Sequence, residues 1–201
     1  MTLIVQKFGG TSVGSIERIQ AVASKIARFH RDGHQIVVTV SAMSGETNRL
    51  IALSQELQDR VSSRELDVLV STGEQVTIAL LCMAIEALGL KSRSYTGGQV
   101  PIITDSAFGK ARIERIEPSN IKKDLDLGRV VVVAGFQGVI SEGDVRTLGR
   151  GGSDISAVAL GSSLGAEVVE IYSDVDGIAN CDPRQIPEAV YMDAVSVTQI
   201  L

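Results

Sequence analysis

The sequence predicts a three-layer α/β/α sandwich with a mainly parallel central sheet. Three observations carry that expectation. Strand-like apolar runs alternate along the chain with stretches of helical periodicity. The strand-like runs, among them Leu3-Ile4-Val5, Gln35 to Val40 and Val130 to Ala134, are nearly continuous in Val and Ile. That is the pattern of parallel strands covered on both faces. Finally, 44 % of the 201 residues are hydrophobic but only 3 % are aromatic and none is Trp, so the core has to come from Val, Ile, Leu and Ala.

The elements follow in order. After the first strand, Ile16, Ile19, Val22, Ala23, Ile26 and Ala27 recur at steps of three and four and predict a helix. Gln35 to Val40 is a second buried strand. A polar loop, Ser41-Ala42-Met43-Ser44-Gly45-Glu46-Thr47-Asn48, leads to a helix from Arg49, with Thr47 or Asn48 as its cap. Val76 to Leu88 reads as a buried helix opened by Glu74 and closed by Gly89. Ser92 to Tyr95 is a short strand, followed by a Gly97-Gly98 turn and the apolar piece Ile102 to Thr104. Ala111 to Asp126 is expected to form a peripheral hairpin or flap ending in a short helix over 118–127. Val130 to Ala134 is a central strand. Val139 to Thr147 is a hairpin with its tip at Glu142-Gly143-Asp144. A helix follows Asp154, with Ile155, Val158, Ala159 and Leu160 assigned to its apolar face, and Glu167 to Tyr172 is a further strand.

The net charge of −5 argues against nucleic acid or an anionic membrane surface as partner. Cys82 and Cys181 lie far apart without metal-ligand spacing, and Cys82 sits in an apolar run. A reducing cytoplasm is the natural setting. The chain starts in a strand with no leader-like stretch, and no uninterrupted apolar run is long enough to cross a membrane.

Two glycine-rich stretches carry the chemistry. In the first, Lys7 ends a strand and Gly9-Gly10-Thr11-Ser12 opens a helix. Bare backbone allows close approach, the helix start offers N–H groups to an anion, and lysine adds a compact cation. Neither a Walker A loop nor the G-x-G-x-x-G fingerprint is present. Spacing alone leaves both a phosphate site and an ordinary strand-to-helix turn open. In the second stretch, Gly149-Arg150-Gly151-Gly152-Ser153-Asp154, arginine matches carboxylates bidentately and the following helix start favours oxyanions.

Lys7-Phe8-Gly9-Gly10-Thr11-Ser12-Val13 resembles the N-terminal signature of the aspartate kinases, within the amino acid kinase superfamily. The Ser41-Ala42-Met43-Ser44 loop, the Ser71-Thr72-Gly73-Glu74-Gln75 block, the second glycine stretch and Asp174-Val175-Asp176-Gly177 follow in the family's order. The resemblance implies the amino acid kinase fold over residues 1–201 and ATP-dependent phosphorylation of L-aspartate. It assigns Lys7, Phe8, Gly9, Gly10 and Ser41 to the ATP phosphates. Ser173, Asp174, Asp182, Pro183 and Arg184 fall on the nucleotide side. Thr47 and Glu74 face the amino acid, Glu74 against its α-amino group. Arg150, Gly151, Gly152 and Ser153 meet its carboxylates, and Asp154 orients Lys7 near the reaction centre. Magnesium is expected to arrive on ATP, with no protein metal site. Where the family usually has Tyr-Thr between the glycine and Asp-Pro-Arg, this chain has Ala179-Asn180-Cys181.

By the same resemblance the kinase domain is expected to be incomplete after Leu201, with the ACT regulatory modules absent. The expected partners are L-aspartate, ATP and either a second copy or a full-length aspartokinase chain. Two rival readings stand beside this one. The first is a sister kinase of the same fold with another substrate. The second is a non-catalytic copy that binds aspartate or a full-length partner.

Overall fold

The computed structural model describes residues 2–57, 63–175, 177–196 and 198. Its centre is a five-stranded, wholly parallel sheet in the order β3-β6-β2-β1-β9. The strands are β1 (Leu3–Phe8), β2 (Gln35–Val40), β3 (Ser92–Tyr95), β6 (Val130–Ala134) and β9 (Val168–Tyr172). The sheet grows from β1 to one side as far as β3, and β9 then joins the other side of β1. Successive side chains alternate between the two faces. Ile4, Phe8, Ile36, Val38, Val130 and Val132 pack on one face against α1 (Ile16–Arg31) and α3 (Ser63–Ala87). Val5, Val37, Val131 and Val133 pack on the other against α4 (Ser119–Asp126) and α5 (Gly152–Leu164). These are the three layers the sequence predicts, and all five residues of β6 are buried.

Four features depart from the sequence expectation. A second, four-stranded sheet stands beside the first, in the order β5-β4-β7-β8. It comprises β4 (Ile102–Thr104), β5 (Ile113–Ile116), β7 (Gln137–Val139) and β8 (Val145–Thr147), and joins the expected flap to the expected hairpin. α2 spans Glu46–Leu57 and so begins three residues before Arg49. Gly45, with φ +83°, supplies the carbonyl that accepts from Arg49 N–H. Thr47 and Asn48 therefore lie inside the first turn rather than at the cap.

The third departure is α3, one helix of 25 residues that runs straight through the Ser-Thr-Gly-Glu block. Glu74 sits in its middle and not at an N-terminus. Ser71 and Thr72 donate to the carbonyls of Val68 and Leu69 (2.8 and 2.7 Å), so their hydroxyls are absorbed along the helix instead of capping a new one. Gly73 is tolerated there because a Cβ would stand 2.8 Å from Ala42 Cβ. By length and composition α3 could cross a membrane, but half of its most apolar window is buried inside the sandwich.

The fourth concerns α5, whose Ile155 and Val158 are half exposed. Its buried side carries Gly152, Ser153, Ser156, Ala157, Leu160, Gly161 and Leu164. Small residues let this helix sit close to the sheet, and a Cβ on Gly161 would meet Val169 Cγ2 at 2.4 Å. Elsewhere the expectations hold: Gly89 (φ +80°) closes the turn after α3, and Cys82 is in the core. The family resemblance also reads Ser196 to Leu201 as the start of a helix, and that stretch lies largely outside the described residues.

Candidate active site

Parallel strands aim their carboxyl ends at one edge of a sheet, and the loops there are free to carry polar chemistry. In this chain the loops following β1, β2 and β6 meet the stretch 148–151 that rises from β8. Together they enclose an open cavity of about 260 Å³. Lys7, Ser41, Thr47, Glu74, Arg150, Gly151, Gly152, Ser153 and Asp154 all line it, although they come from four separate parts of the sequence.

Lys7 points toward α5 from the carboxyl end of β1 and is 9 % exposed. Its ammonium meets Asp154 Oδ1 at 2.7 Å. Asp154 lies in the first turn of α5, whose cap residue Gly151 is in the left-handed region (φ 73°). The lysine charge is thus held beside the N-terminal end of α5, whose dipole favours negative charge, a combination that suits a polyanion. The approach of the strands is tight. A Cβ on Gly135 would strike Ser153 at 2.9 Å, and one on Gly152 would strike Leu148 at the same distance. Phe136, between these walls, holds φ 66° although it is not glycine. Backbone strain of this kind concentrates at ligand sites.

Glu74 is 2 % exposed. Its Oε1 accepts from the Ala42 backbone N–H at 2.9 Å, and its Oε2 is buried without a partner among the described residues. Burial pushes its carboxyl up to about 7, against the smaller opposing effect of the Ala42 N–H. An orphaned carboxylate oxygen facing a cavity fits a ligand cation such as an ammonium group.

The nucleotide-side candidates divide. Gly9 has room for a Cβ only 3.5 Å from Lys7 Nζ, so its bare backbone leaves the ammonium open. A Cβ on Gly10 would stand 2.9 Å from the Ala42 carbonyl. The Phe8 ring is on the opposite face of the sheet, stacked on Tyr172 at 4.7 Å, and so cannot line the cavity, although its carbonyl accepts from Ser41 N–H. Asp174, Asp182, Pro183 and Arg184 line a separate cavity, and Tyr191 supplies it with an aromatic ring. Ser173 follows directly after β9 and pairs with Asp174. Asp176 lies outside the described residues. Among the described residues no three His, Cys, Asp or Glu side chains gather as a metal site.

Sequence reasoning missed three parts of the site: the Ala42 N–H that orients Glu74, Phe136 in the cavity wall, and Asp67 on α3. The last carries a readable signal. It precedes Glu74 by seven residues, two helical turns, and therefore shares its face.

A sequence model of the amino acid kinase family matches residues 2–201. An aspartokinase from Pseudomonas aeruginosa is 57 % identical over 201 residues, which is 100 % of this chain and 49 % of that protein. The chain thus spans about half the length of the curated relatives it matches. The crystal structure of an aspartate kinase from Synechocystis superposes with a TM-score of 0.80 at 52 % identity, over 94 % of this chain and 31 % of that one. E. coli aspartokinase III, solved in complex with aspartate and ADP, superposes with a TM-score of 0.85 at 26 % identity, over 95 % of this chain and 53 % of that one.

Proposed function

As the chain belongs to the amino acid kinase family, we propose that its site transfers the γ-phosphoryl group of Mg-ATP to the β-carboxylate of L-aspartate. The products are ADP and 4-phospho-L-aspartate, and the reaction opens lysine, threonine and methionine biosynthesis. One observation carries the reading: a buried carboxylate with one oxygen left without a partner, Glu74, shares a cavity with Arg150 and with the Lys7–Asp154 pair. That set offers an anion to an ammonium group, a guanidinium to a carboxylate and an ammonium to phosphate. L-Aspartate and ATP together need all three.

The acceptor carboxylate is ionised at neutral pH, so the reaction needs no general base. What remains is positioning and charge neutralisation of the moving phosphoryl group. In this reading Glu74 takes the α-ammonium of aspartate and Thr47 lies beside it. Arg150 and Ser153 take its carboxylates, and Gly151-Gly152 keeps the approach clear. Lys7, backed by Gly9 and Gly10, neutralises phosphate oxygens together with Ser41, and Asp154 holds the Lys7 ammonium in line. The nucleotide extends toward Ser173, Asp174 and Asp182-Pro183-Arg184. Magnesium enters on the phosphates of ATP, where it draws off their charge. Association with a second copy or a longer kinase chain is part of the proposal, with exposed Ile155, Val158 and Val168 as apolar surface. So is a cytoplasmic setting, which suits two free thiols.

ADP production by the chain with Mg-ATP tests the proposal. Release should depend on L-aspartate and not on L-glutamate. Aspartate-independent release, or a preference for glutamate, would redirect it to another kinase of the same fold.

A further inference from the structure

Asp67 lies in the second turn of α3 and is 2 % exposed. Among the described residues no cation stands within ion-pair distance of it. Instead it gathers three neutral donors from two other segments. Gly109 N–H donates to both carboxylate oxygens (3.1 and 3.2 Å). Thr147 donates through its hydroxyl (2.7 Å) and through its backbone N–H (3.3 Å). A buried carboxylate held only by aimed donors is costly to desolvate, and its geometry is correspondingly exact.

Both segments support the wall that carries Arg150. Thr147 ends β8, and the stretch 148–151 begins at the next residue. The loop around Gly109 runs beneath that stretch. Ala111 N–H donates to the Thr147 carbonyl (2.9 Å), and the Gly109 carbonyl would lie 3.1 Å from a Cβ on Gly149. Arg146 ties the same loop down, donating to the Ser106 carbonyl with its guanidinium over the Phe108 ring at 4.1 Å. Seven residues along the same face of α3, Glu74 holds Ala42 on the opposite wall. Between them the Ser71 carbonyl accepts from Gln137 Nε2 (2.9 Å). α3 therefore acts as a beam from which two buried carboxylates fix the two walls of the cavity.

We infer that Asp67 is a positioning residue for the acceptor site: by gripping Thr147 and Gly109 it sets where the Arg150 loop stands relative to Glu74. The inference rests on the reading of the cavity as an amino acid site. Asp67 touches no ligand and acts through the loop.

The test compares the chain with Asp67→Asn, Thr147→Val and Thr147→Ser. Asn keeps the shape but turns an amide NH₂ toward donors, Val removes the hydroxyl, and Ser keeps it. Backbone hydrogen exchange should accelerate in 105–111 and 145–152 in the first two variants, with β1, β2 and β6 unchanged. Calorimetric titration should find L-aspartate bound about tenfold more weakly by both, with Mg-ATP affinity unchanged and Thr147→Ser close to the parent. Unchanged exchange in those loops, or unchanged aspartate affinity in a folded Asp67→Asn or Thr147→Val, would overturn the inference. Should Asp67→Asn loosen the whole sandwich, Thr147→Val decides alone. If the parent chain fails to bind L-aspartate, the proposed function falls, while the exchange pattern still decides whether Asp67 holds the loop.

Discussion

A carboxylate buried without a cation is a standing cost, and Glu74 illustrates both sides of it. In the unfolded chain it titrates near 4.5, and in the fold burial raises it to about 7. Below pH 4.5 both states hold the proton and Glu74 costs nothing. Between those values only the unfolded chain releases it, so stability falls as pH rises, and above 7 the penalty is constant. Glu74→Gln should therefore raise the melting temperature at pH 8, by the equivalent of about 1–3 kcal/mol, with a much smaller gain at pH 5. Melts at the two pH values check this. The same substitution should remove aspartate binding. In the parent, aspartate affinity should rise with pH through about 7, because the ammonium needs the ionised form. Lys7→Ala should separate differently: kcat falls about 100-fold or more while KM for L-aspartate stays within about threefold. Steady-state kinetics give both numbers. Lys7, Glu74 and Arg150 are legible in the sequence through the family resemblance, since spacing alone leaves Lys7 open between a phosphate site and a plain turn, and in the fold they line one cavity. Asp67 is not singled out, although its seven-residue offset places it on the face of Glu74, because a single acid in an amphipathic stretch looks like a solvated face until β8 is folded against it.

Helix boundaries and faces were the elements that sequence patterning read least well. Hydroxyls at 71 and 72 look like a break between helices, but inside a packed helix they bond back along their own turn. In α5 the large residues at 155 and 158 mark the exposed side, and the small ones mark the face against the sheet. Periodicity reports which residues are apolar; it does not report how closely two backbones approach. That closeness has a measurable consequence. Gly→Ala in a helix ordinarily stabilises by about 1 kcal/mol. At Gly161 the new methyl would stand 2.4 Å from Val169, and the substitution should instead destabilise by about 1–3 kcal/mol. Ser162→Ala, one residue along and exposed, should be neutral or slightly stabilising. Urea denaturation of the two variants tests the sign.

At the scale of the whole molecule, the parallel sheet and its layers follow from runs of Val and Ile broken by helical segments, which is a local signal. The second sheet does not. Its strands are three or four residues long, and β4 meets β7 across more than thirty residues of chain. Only tertiary packing creates that pairing. Yet β8 of this sheet delivers the Arg150 loop to the cavity, so the part least visible in the sequence completes the site. The assembled cavity is proposed to recognise a free amino acid through the buried Glu74. Calorimetric titration at pH 8 with L-aspartate and with N-acetyl-L-aspartate tests it most directly. Acetylation removes the ammonium charge and leaves both carboxylates in place. L-Aspartate should bind, and the acetylated compound should bind about 100-fold more weakly or not at all, since a buried charge would lose its partner. Equal affinity for the two, or no binding of L-aspartate, would contradict it.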